Sequence, residues 1–199
     1  MKGKLVTIEG IDGSGKTTIM EYLKQNPFYS DIIFTREPTK DWIGQAVMRA
    51  IQSDVDPLAE LLLFTADHAE HIRNTINPAM QAGRVIISDR YSDSRIAYQS
   101  STLKDRFDEP VEWIKQLHRG WTIVPDLTVL LDIDPKTAVS RCNSRDAQTK
   151  FEKVDFLLGV RNVFLQLAKE NPQRFVIIDA SQSLEKVKKE VDRAIKELE

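Results

Sequence analysis

Cysteine is nearly absent from this sequence: Cys142 is the single one in 199 residues, so no disulfide can form within the chain. Such cysteine usage is typical of a reducing compartment. The chain has neither a basic segment followed by an apolar one at its start nor an apolar run of membrane-spanning length. We therefore expect a cytoplasmic protein without a membrane partner.

An excess of charge of one sign is also missing, because 28 Lys and Arg face 30 Asp and Glu, a formal net charge of −2. Without a long-range positive field, nucleic acid is not an expected partner. Any phosphate that the protein binds must be held by local positive groups.

Internal repeats and Gly/Ser/Pro-rich linkers are absent as well, and 41% of the residues are hydrophobic. This composition is typical of a globular protein. A length of 199 residues suits one domain, so we expect a single domain over residues 1–199.

Short, β-branched, apolar runs alternate with amphipathic stretches along the chain. They predict strands at residues 4–9, 31–35, 84–88, 127–132 and 175–179. Runs that are apolar on both faces and separated by helices are typical of a parallel sheet covered on both sides.

The longest helical pattern runs over residues 57–82, with Gly83 as its C-cap. Helical spacing predicts one apolar face made of Leu58, Leu61, Leu62, Thr65, Ala69 and Ile72. Further helices are predicted at 17–25, at 156–168 and from Ser183 onward, where Ser183 to Lys186 is a modest capping signal.

Polar clusters follow three of the predicted strands, at residues 12–18, 36–38 and 89–91. Ligands of open parallel sheets bind at the carboxyl ends of the strands. The three clusters therefore predict one site.

The segment Gly10-Ile11-Asp12-Gly13-Ser14-Gly15-Lys16-Thr17 follows an apolar strand, opens a helix and matches G-x-x-x-x-G-K-[ST] without departure. Its glycines allow a tight loop whose N–H groups point inward as an anion nest. Lys16 would place its charge on the β- and γ-phosphates of ATP, and the Thr17 hydroxyl would bind Mg²⁺. The predicted ATP-binding residues are Gly10, Ile11, Asp12, Gly13, Ser14, Gly15, Lys16, Thr17 and Thr18.

Asp89 ends the third predicted strand and Arg90 follows it. A carboxylate there can hold Mg²⁺ through water beside Thr17, so the predicted metal residues are Thr17 and Asp89. The donor fork of Arg90 suits a transferring phosphoryl group. A GTPase is not favoured, because the guanine-reading Asn-Lys-x-Asp segment is absent.

Taken together, the segments resemble the thymidylate kinase family over nearly the whole chain. They are 8–18 (IEGIDGSGKTT), 35–38 (TREP), 62–67 (LLFTAD), 89–91 (DRY) with Ser94, Ala97, Tyr98 and Gln99, 125–128 (PDLT), 131–132 (LD) and 176–180 (VIIDA). The resemblance implies a three-layer α/β P-loop NTPase fold with a five-stranded parallel sheet and a short lid at about 141–150. It also implies a homodimer.

The same resemblance implies transfer of the γ-phosphoryl group of Mg-ATP to thymidine monophosphate, with a role for each matching residue. Arg36 and Arg90 resemble the pair that holds the acceptor's phosphate, and Asp12 the carboxylate on its 3′-hydroxyl. Phe64 resembles the ring that stacks on thymine, and Tyr98 the ring that closes off the 2′ position. Ser94 and Gln99 complete the acceptor motif.

Members of the family keep a catalytic arginine either in the phosphate loop or in the lid. Gly13 occupies the loop position, so the charge is expected from the lid. Arg145 is the predicted catalytic residue beside Lys16 and Arg90, with Arg141 and Lys150 as alternatives.

Two positions depart from the family pattern. His68 stands where the family more often has an arginine that donates to the thymine carbonyl, although an imidazole could still donate one hydrogen bond there. Arg95 stands where a small polar residue usually reads the pyrimidine edge. His71 and His118 are interpreted as ordinary surface or packing histidines.

Three alternatives to a thymidylate kinase stay open at this point. One is a related kinase that acts on another pyrimidine monophosphate, motivated by His68 and Arg95. A second is a deoxynucleoside kinase with Glu37 as the base for a 5′-hydroxyl. The third is a nucleotide-binding module without turnover, although Lys16, Thr17, Asp89 and Arg90 are all in place.

Overall fold

The computed structural model describes residues 3–142 and 153–198. Within them, five strands form one parallel sheet in the order β2-β3-β1-β4-β5. The strands are β1 (Lys4–Glu9), β2 (Ile33–Arg36), β3 (Val85–Asp89), β4 (Leu127–Asp132) and β5 (Phe175–Asp179). The predicted five-stranded parallel sheet is confirmed, with β2 and β3 displaced by one or two residues from the predicted bounds.

Helices connect the strands and cover the sheet. They are α1 (Lys16–Gln25), α2 (Trp42–Ile51), α3 (Pro57–His71), α4 (Asn77–Gln81), α5 (Ser92–Thr102), α6 (Pro110–His118), α7 (Pro135–Cys142), α8 (Val154–Glu170) and α9 (Leu184–Lys196). None of the helices in the described ranges is both long enough and apolar enough to cross a membrane.

The hydrophobic core lies on both faces of the sheet, because the side chains of each strand alternate between them. Val6, Ile8 and Ile87 belong to the larger buried cluster, whereas Leu5 and Ile86 belong to a smaller one under the segment that ends in α4. Each fully buried aliphatic side chain of this kind contributes roughly 1.5–3 kcal/mol. Packing on both faces gives the predicted three layers.

The helical segment after Pro57 differs from the prediction in two ways. It is not one helix, because α3 ends at His71 and a π-helical turn, Ile72–Ile76, separates it from α4. The predicted apolar face is also wrong: Leu62 and Ala69 are exposed, whereas Leu61 is buried together with polar side chains, namely Glu60, Asp67, His68 and His71. Asp67, His68 and His71 are buried because partners from β2 and the following loop reach them.

The boundaries of α3 and α4 have local causes. Pro57 occupies the first turn of α3, and the Asp56 carboxylate accepts hydrogen bonds from the backbone N–H groups of Leu58 and Ala59. At the other end Gly83 follows α4 with φ = 71°, the left-handed conformation that ends many helices. The predicted stop at Gly83 is confirmed.

The register of the sheet brings the polar clusters to one edge. Arg36 pairs with Asp89 across β2 and β3, and Ile8 pairs with Asp89 across β1 and β3. The loops after β1, β2 and β3 therefore begin at the same level of the sheet.

Candidate active site

The glycine-rich loop connects β1 to α1, and three of its glycines have positive φ: 143° at Gly10, 82° at Gly13 and 98° at Gly15. The side chain of Lys16 folds back over the loop. Its Nζ donates to the carbonyl oxygens of Gly10 (3.1 Å) and Ile11 (2.9 Å). Burial and the nearby Arg90 charge lower the pKa of Lys16 to about 8. An anion bound beside Nζ would raise that pKa again.

Gly13 lies directly against helix α7. A Cβ atom at this position would lie 2.3 Å from the carbonyl oxygen of Ala138, well inside van der Waals contact. No side chain fits there without moving the loop or the helix. The absence of an arginine at this loop position is thus a requirement of packing.

Arg90 follows β3, has φ = 67° and projects its guanidinium toward the glycine-rich loop. Its Nη2 donates to Asp12 Oδ1 (2.6 Å), and its Nη1 donates to the carbonyl oxygen of Gly10 (3.1 Å) and to Ser94 Oγ (3.0 Å). The guanidinium also lies 4.9 Å from the centre of the Tyr98 ring. These contacts, from the glycine-rich loop and from α5, fix the direction of its donors.

Asp12 and Tyr98 complete this arrangement. The hydroxyl of Tyr98 donates to Asp12 Oδ2 (3.0 Å) and accepts from the Asp12 backbone N–H (3.0 Å). Burial alone would raise the pKa of Asp12, but the charges of Arg90 and Lys16 outweigh it and lower that pKa. Asp12 is therefore a carboxylate at neutral pH.

Glu9, at the end of β1, supports the start of α5 from below. Its carboxyl oxygens accept hydrogen bonds from the Tyr91 N–H, the Ser94 N–H and the Ser94 hydroxyl. Burial, reinforced by the neighbouring Asp93, raises the pKa of Glu9 to about 8. The residue is a fixed support for Ser94, and the sequence analysis did not single it out.

A cavity of about 210 Å³, called the first cavity below, opens beside these groups. It brings together Arg36 from the end of β2, Phe64 from α3, and Arg90. The residues lining it are Asp12, Arg36, Glu37, Pro38, Met48, Ile51, Phe64, Arg90, Tyr91, Ser94, Arg95, Tyr98 and Gln99. All the predicted acceptor residues except His68 lie in this wall.

His68 lies behind the wall, fully buried, with both ring nitrogens engaged. Nδ1 is 2.8 Å from Glu37 Oε1 and Nε2 is 3.2 Å from Thr122 Oγ1. Burial and the Arg95 charge lower its pKa to about 4, despite the opposing effect of Glu37. The structure thus corrects the expectation that His68 faces the acceptor, since the space that it would have to reach is occupied by Glu37 and Arg95.

Glu37 is the centre of a buried polar cluster. Its Oε1 accepts from Nδ1 of His68 and of His71 (2.7 Å), and its Oε2 accepts from Arg95 Nη2 (2.7 Å). Burial would raise the pKa of Glu37, but Arg95 and the two histidines hold it well below the usual range. The carboxylate is charged, and both of its oxygens already accept hydrogen bonds. Its place within the Arg-Glu-Pro segment was the signal in the sequence.

The interpretation of His71 and His118 as packing histidines agrees with their burial. His71 also bonds Thr35 through Nε2 (2.7 Å), so it links β2 to α3. Burial, together with the Arg95 charge, lowers the pKa of His118 to about 2.

A second cavity, of about 310 Å³, lies on the other side of the glycine-rich loop. Gly13, Ser14, Gly15 and Thr18 line it from the loop side, and Arg141, at the end of α7, lines it from the opposite side. Arg141 Nη1 donates to the carbonyl oxygen of Ala180 after β5 (3.2 Å). Arg145 and Lys150 lie outside the described residues.

The two predicted metal residues fit a cation that is shared with phosphates. Asp89 Oδ1 is buried and has no hydrogen-bond partner among the described residues. The Thr17 side chain is exposed in the first turn of α1. A carboxylate and a hydroxyl at a phosphate loop are the donor set that Mg²⁺ uses when a nucleotide supplies further oxygens.

A phosphate loop at the carboxyl edge of a parallel sheet, with a cavity on each side, defines a P-loop phosphotransferase. Comparison with known proteins gives the family. The model of the family described as thymidylate kinase matches residues 8–191. The chain belongs to the thymidylate kinase family, which confirms the predicted family and enzyme class.

Individual relatives match along their full length. The probable thymidylate kinase of Methanococcoides burtonii is 60% identical, covering 98% of this chain and 97% of that protein. That of Methanosarcina barkeri is 58% identical, covering 99% and 98%. The crystal structure of thymidylate kinase from Ehrlichia chaffeensis has a TM-score of 0.74 and 30% identity, covering 98% of this chain and 99% of that one.

Proposed function

We propose that this chain, as a single catalytic domain, transfers the γ-phosphoryl group of Mg-ATP to thymidine monophosphate, giving ADP and dTDP. The observation that carries the proposal is the pair of cavities on either side of the glycine-rich loop. Two phosphorylated compounds can meet end to end there, with Lys16 and Arg90 between them.

The donor occupies the second cavity in this proposal. Its β- and γ-phosphates lie in the nest of loop N–H groups. Lys16 Nζ then contacts these phosphates in place of its carbonyl partners in the loop. Arg141 lies where it can contact the nucleoside part of ATP. Arg145 is the residue that we propose to supply a further catalytic charge to the phosphates.

Thr17 and Asp89 would hold Mg²⁺, in line with the unpartnered, buried Oδ1 of Asp89. When bound, the ion neutralises charge on the β- and γ-phosphate oxygens. Asp89 is also tied to the acceptor side, because its strand partner in β2 is Arg36.

The acceptor occupies the first cavity. Arg36 and Arg90 hold its phosphate, Asp12 binds the 3′-hydroxyl, Tyr98 closes off the 2′ position and Phe64 stacks on the base. Ser94 directs Arg90 through their hydrogen bond. Gln99, buried one turn beyond Arg95, completes the wall.

The chemistry requires no general base. An oxygen of the acceptor's phosphate is already ionised; it attacks the γ-phosphorus as the bond from that phosphorus to the β,γ-bridging oxygen breaks, leaving ADP. The protein contributes alignment and neutralisation of charge. A guanidinium held at a fixed angle supplies both, because it needs no reorganisation when charge develops.

One alternative loses support from the structure. A deoxynucleoside kinase needs a free carboxylate near a 5′-hydroxyl, and Glu37 is buried with both oxygens hydrogen-bonded. A related kinase for another pyrimidine monophosphate stays the second candidate, because Arg95 in the wall is a departure from the family pattern.

Initial rates with Mg-ATP and a panel of dTMP, dUMP, dCMP, UMP and thymidine test the proposal. We expect the highest kcat/KM with dTMP. Turnover of thymidine alone would point to a nucleoside kinase, and nucleotide binding without any turnover would point to a binding module. Lys16→Ala should reduce kcat at least about 100-fold with an unchanged circular dichroism spectrum.

We further propose a cytoplasmic homodimer. Support comes from exposed apolar side chains on the packed pair α2 and α3, namely Trp42, Met48 and Leu62. Sedimentation equilibrium should give twice the chain mass, and a mass equal to one chain at micromolar concentration would reject the dimer.

A further inference from the structure

The first cavity is lined by two adjacent rows of helix α5. Ser94 and Tyr98, four residues apart, form the row that meets Arg90 and the glycine-rich loop. Arg95 and Gln99, also four apart, form the neighbouring row. The family resemblance implies acceptor roles for Ser94, Tyr98 and Gln99, whereas Arg95 departs from the family pattern.

Arg95 is buried in this wall, with 2% of its surface exposed. Its one hydrogen bond to a described residue joins Nη2 to Glu37 Oε2 (2.7 Å), and Nε has no acceptor in the described ranges. A guanidinium carries five N–H donors, and unpaired buried donors are costly. The side chain therefore keeps donor capacity that a bound ligand can use.

The guanidinium is held by an anchored carboxylate. Glu37 receives Arg95 on one oxygen and two imidazoles on the other, and His71 and His68 are in turn bonded to Thr35 and Thr122. Each link is buried or half-buried. A donor carried by such a chain of contacts has a fixed direction, which recognition of one atom on a ligand requires.

The charges divide the first cavity into two parts. Arg95 is balanced by Glu37 at 2.7 Å, so their surroundings are polar but neutral. Arg36 is exposed and has no such pair among the described residues, and Arg90 shares Asp12. The part near Arg36 and Arg90 therefore suits a phosphate, and the part near Arg95 suits an uncharged group.

The remaining walls are apolar and suit a flat ring. Phe64, Met48, Ile51 and Pro38 line the cavity together with Arg95 and Gln99. A planar ring between such walls meets Arg95 with its edge. That edge must present an acceptor, because every polar atom of a guanidinium is a donor.

We propose that Arg95 is the residue that reads the base, donating to the 4-carbonyl of thymine, and that His68 is a positioning residue that acts through Glu37. The inference rests on the proposed function. Cytosine carries an amino group at this position. An amino group and a guanidinium both donate hydrogen bonds, so they could not pair. The site would then select dTMP and dUMP over dCMP.

The experiment compares kcat/KM for dTMP and dCMP in the wild type and in Arg95→Lys. Lysine can still pair with Glu37 but lacks the planar fork. We expect kcat/KM for dTMP to fall about tenfold to 100-fold, the range for one charge-assisted hydrogen bond, mainly through KM. The dTMP/dCMP ratio should fall at least tenfold, while KM for ATP stays within twofold.

Arg174→Lys is the matched control. Arg174 is half-buried and is likewise paired with a carboxylate, through Nη1 to Asp93 Oδ2 (2.7 Å), but it does not line the first cavity. The Arg174→Lys variant should leave the dTMP/dCMP ratio of kcat/KM unchanged. A dTMP/dCMP ratio in Arg95→Lys within threefold of the wild type would overturn the proposal.

Two further arms keep the test decisive. If Arg95→Lys does not fold, the double variant Glu37→Gln/Arg95→Met removes both charges together and should show the same loss of discrimination. The wild type should also disfavour a dTMP analogue without the 4-oxygen by at least tenfold, and equal use of that analogue would refute the contact.

Failure of the proposed function is separable from failure of this inference. If the wild type turns over no monophosphate, the proposed function fails on that result alone. Calorimetric binding of thymidine and deoxycytidine still reports on the base contact, since neither ligand has a phosphate. Thymidine should bind at least tenfold more weakly to Arg95→Lys than to the wild type, and equal binding would reject the role of Arg95.

Discussion

Arg90 is the residue on which the hydrogen bonds of the candidate site converge. Its φ of 67° is uncommon outside glycine and costs on the order of 1–3 kcal/mol. The backbone is held there because its N–H donates to the Ile8 carbonyl (3.1 Å) and its own carbonyl accepts from Ser88 Oγ (2.7 Å). This backbone conformation directs the Arg90 side chain across the glycine-rich loop.

Replacing Arg90 by lysine should therefore reduce turnover although the positive charge is kept. A lysine cannot reach Asp12, Gly10 and Ser94 at once, so alignment is lost. We expect kcat to fall about 100-fold or more, measured by steady-state kinetics with dTMP.

The control for this change is Arg106→Lys. Arg106 also pairs with a carboxylate, Asp56, but half-exposed and outside the first cavity. The Arg106→Lys variant should keep the kcat of the wild type. If Arg90→Lys retained kcat within threefold, a role for its fork in phosphoryl transfer would be ruled out.

At the scale of elements, the glycine-rich loop is in close contact with α7. Gly13→Ala should disturb both, because the new Cβ would lie 2.3 Å from the Ala138 carbonyl oxygen at a backbone φ of 82°. We expect a loss of stability of about 2–3 kcal/mol and more than a tenfold loss of kcat.

Gly120→Ala separates backbone strain from the steric clash. Gly120 has φ = 88° but no heavy atom within 4 Å of the added Cβ. It should cost about 1 kcal/mol with normal activity. Equal denaturation midpoints for the two variants would contradict the packing argument.

The elements that the sequence predicted well are those whose signal is local. The strands were predicted to within two residues because parallel strands buried on both faces are continuous apolar runs. The phosphate loop was placed by its own spacing. Arg36 and Arg90 could be assigned to one site because the ends of parallel strands meet, whereas Phe64 on α3 was assigned only from the family resemblance.

The face of α3 could not be predicted, because its buried polar side chains depend on partners far away in the sequence. His68 and His71 are buried since Glu37 from the loop after β2 accepts from both, and Thr39 donates to Asp67. Helical periodicity counts apolar residues and cannot register such partners. His68 was assigned to the acceptor from its family position, whereas its distant partners hold it behind the cavity wall.

For the whole molecule, buried ionisable groups oppose each other as the pH changes. Between pH 4.5 and about 8 the folded state keeps a proton on Glu9 that the unfolded chain releases, so this contribution to stability decreases as the pH rises. Below pH 6.5 the unfolded chain protonates His68 and His118, whereas the folded state does not until about pH 4 and about 2. That contribution decreases as the pH falls.

Stability should therefore be highest near pH 6.5. From there to pH 5 two histidines act against one glutamate, so about 1 kcal/mol of stability should be lost. From pH 6.5 to pH 8 the loss caused by Glu9 is partly offset by Lys16, because its pKa of about 8 lets the folded state release a proton that the unfolded chain keeps. The alkaline loss should therefore be smaller than the acid one. Urea unfolding at pH 5, 6.5 and 8, at constant ionic strength, measures this.

The isosteric variant Glu9→Gln should lose the decline above pH 6.5 and should show a steeper decline below it, because the histidines are then unopposed. An unchanged alkaline decline in this variant would show that another group causes it.

The shared carboxylate of Glu37 also has a consequence for how this sequence can diverge. Replacing Arg95 alone by an uncharged residue leaves the buried Glu37 carboxylate without its cation. Placing a second cation at position 68 alone adds more positive charge than Glu37 balances. Viable routes between homologues should pass through coordinated replacement of both positions, so the two sites should covary across descendants even though their side chains need never touch.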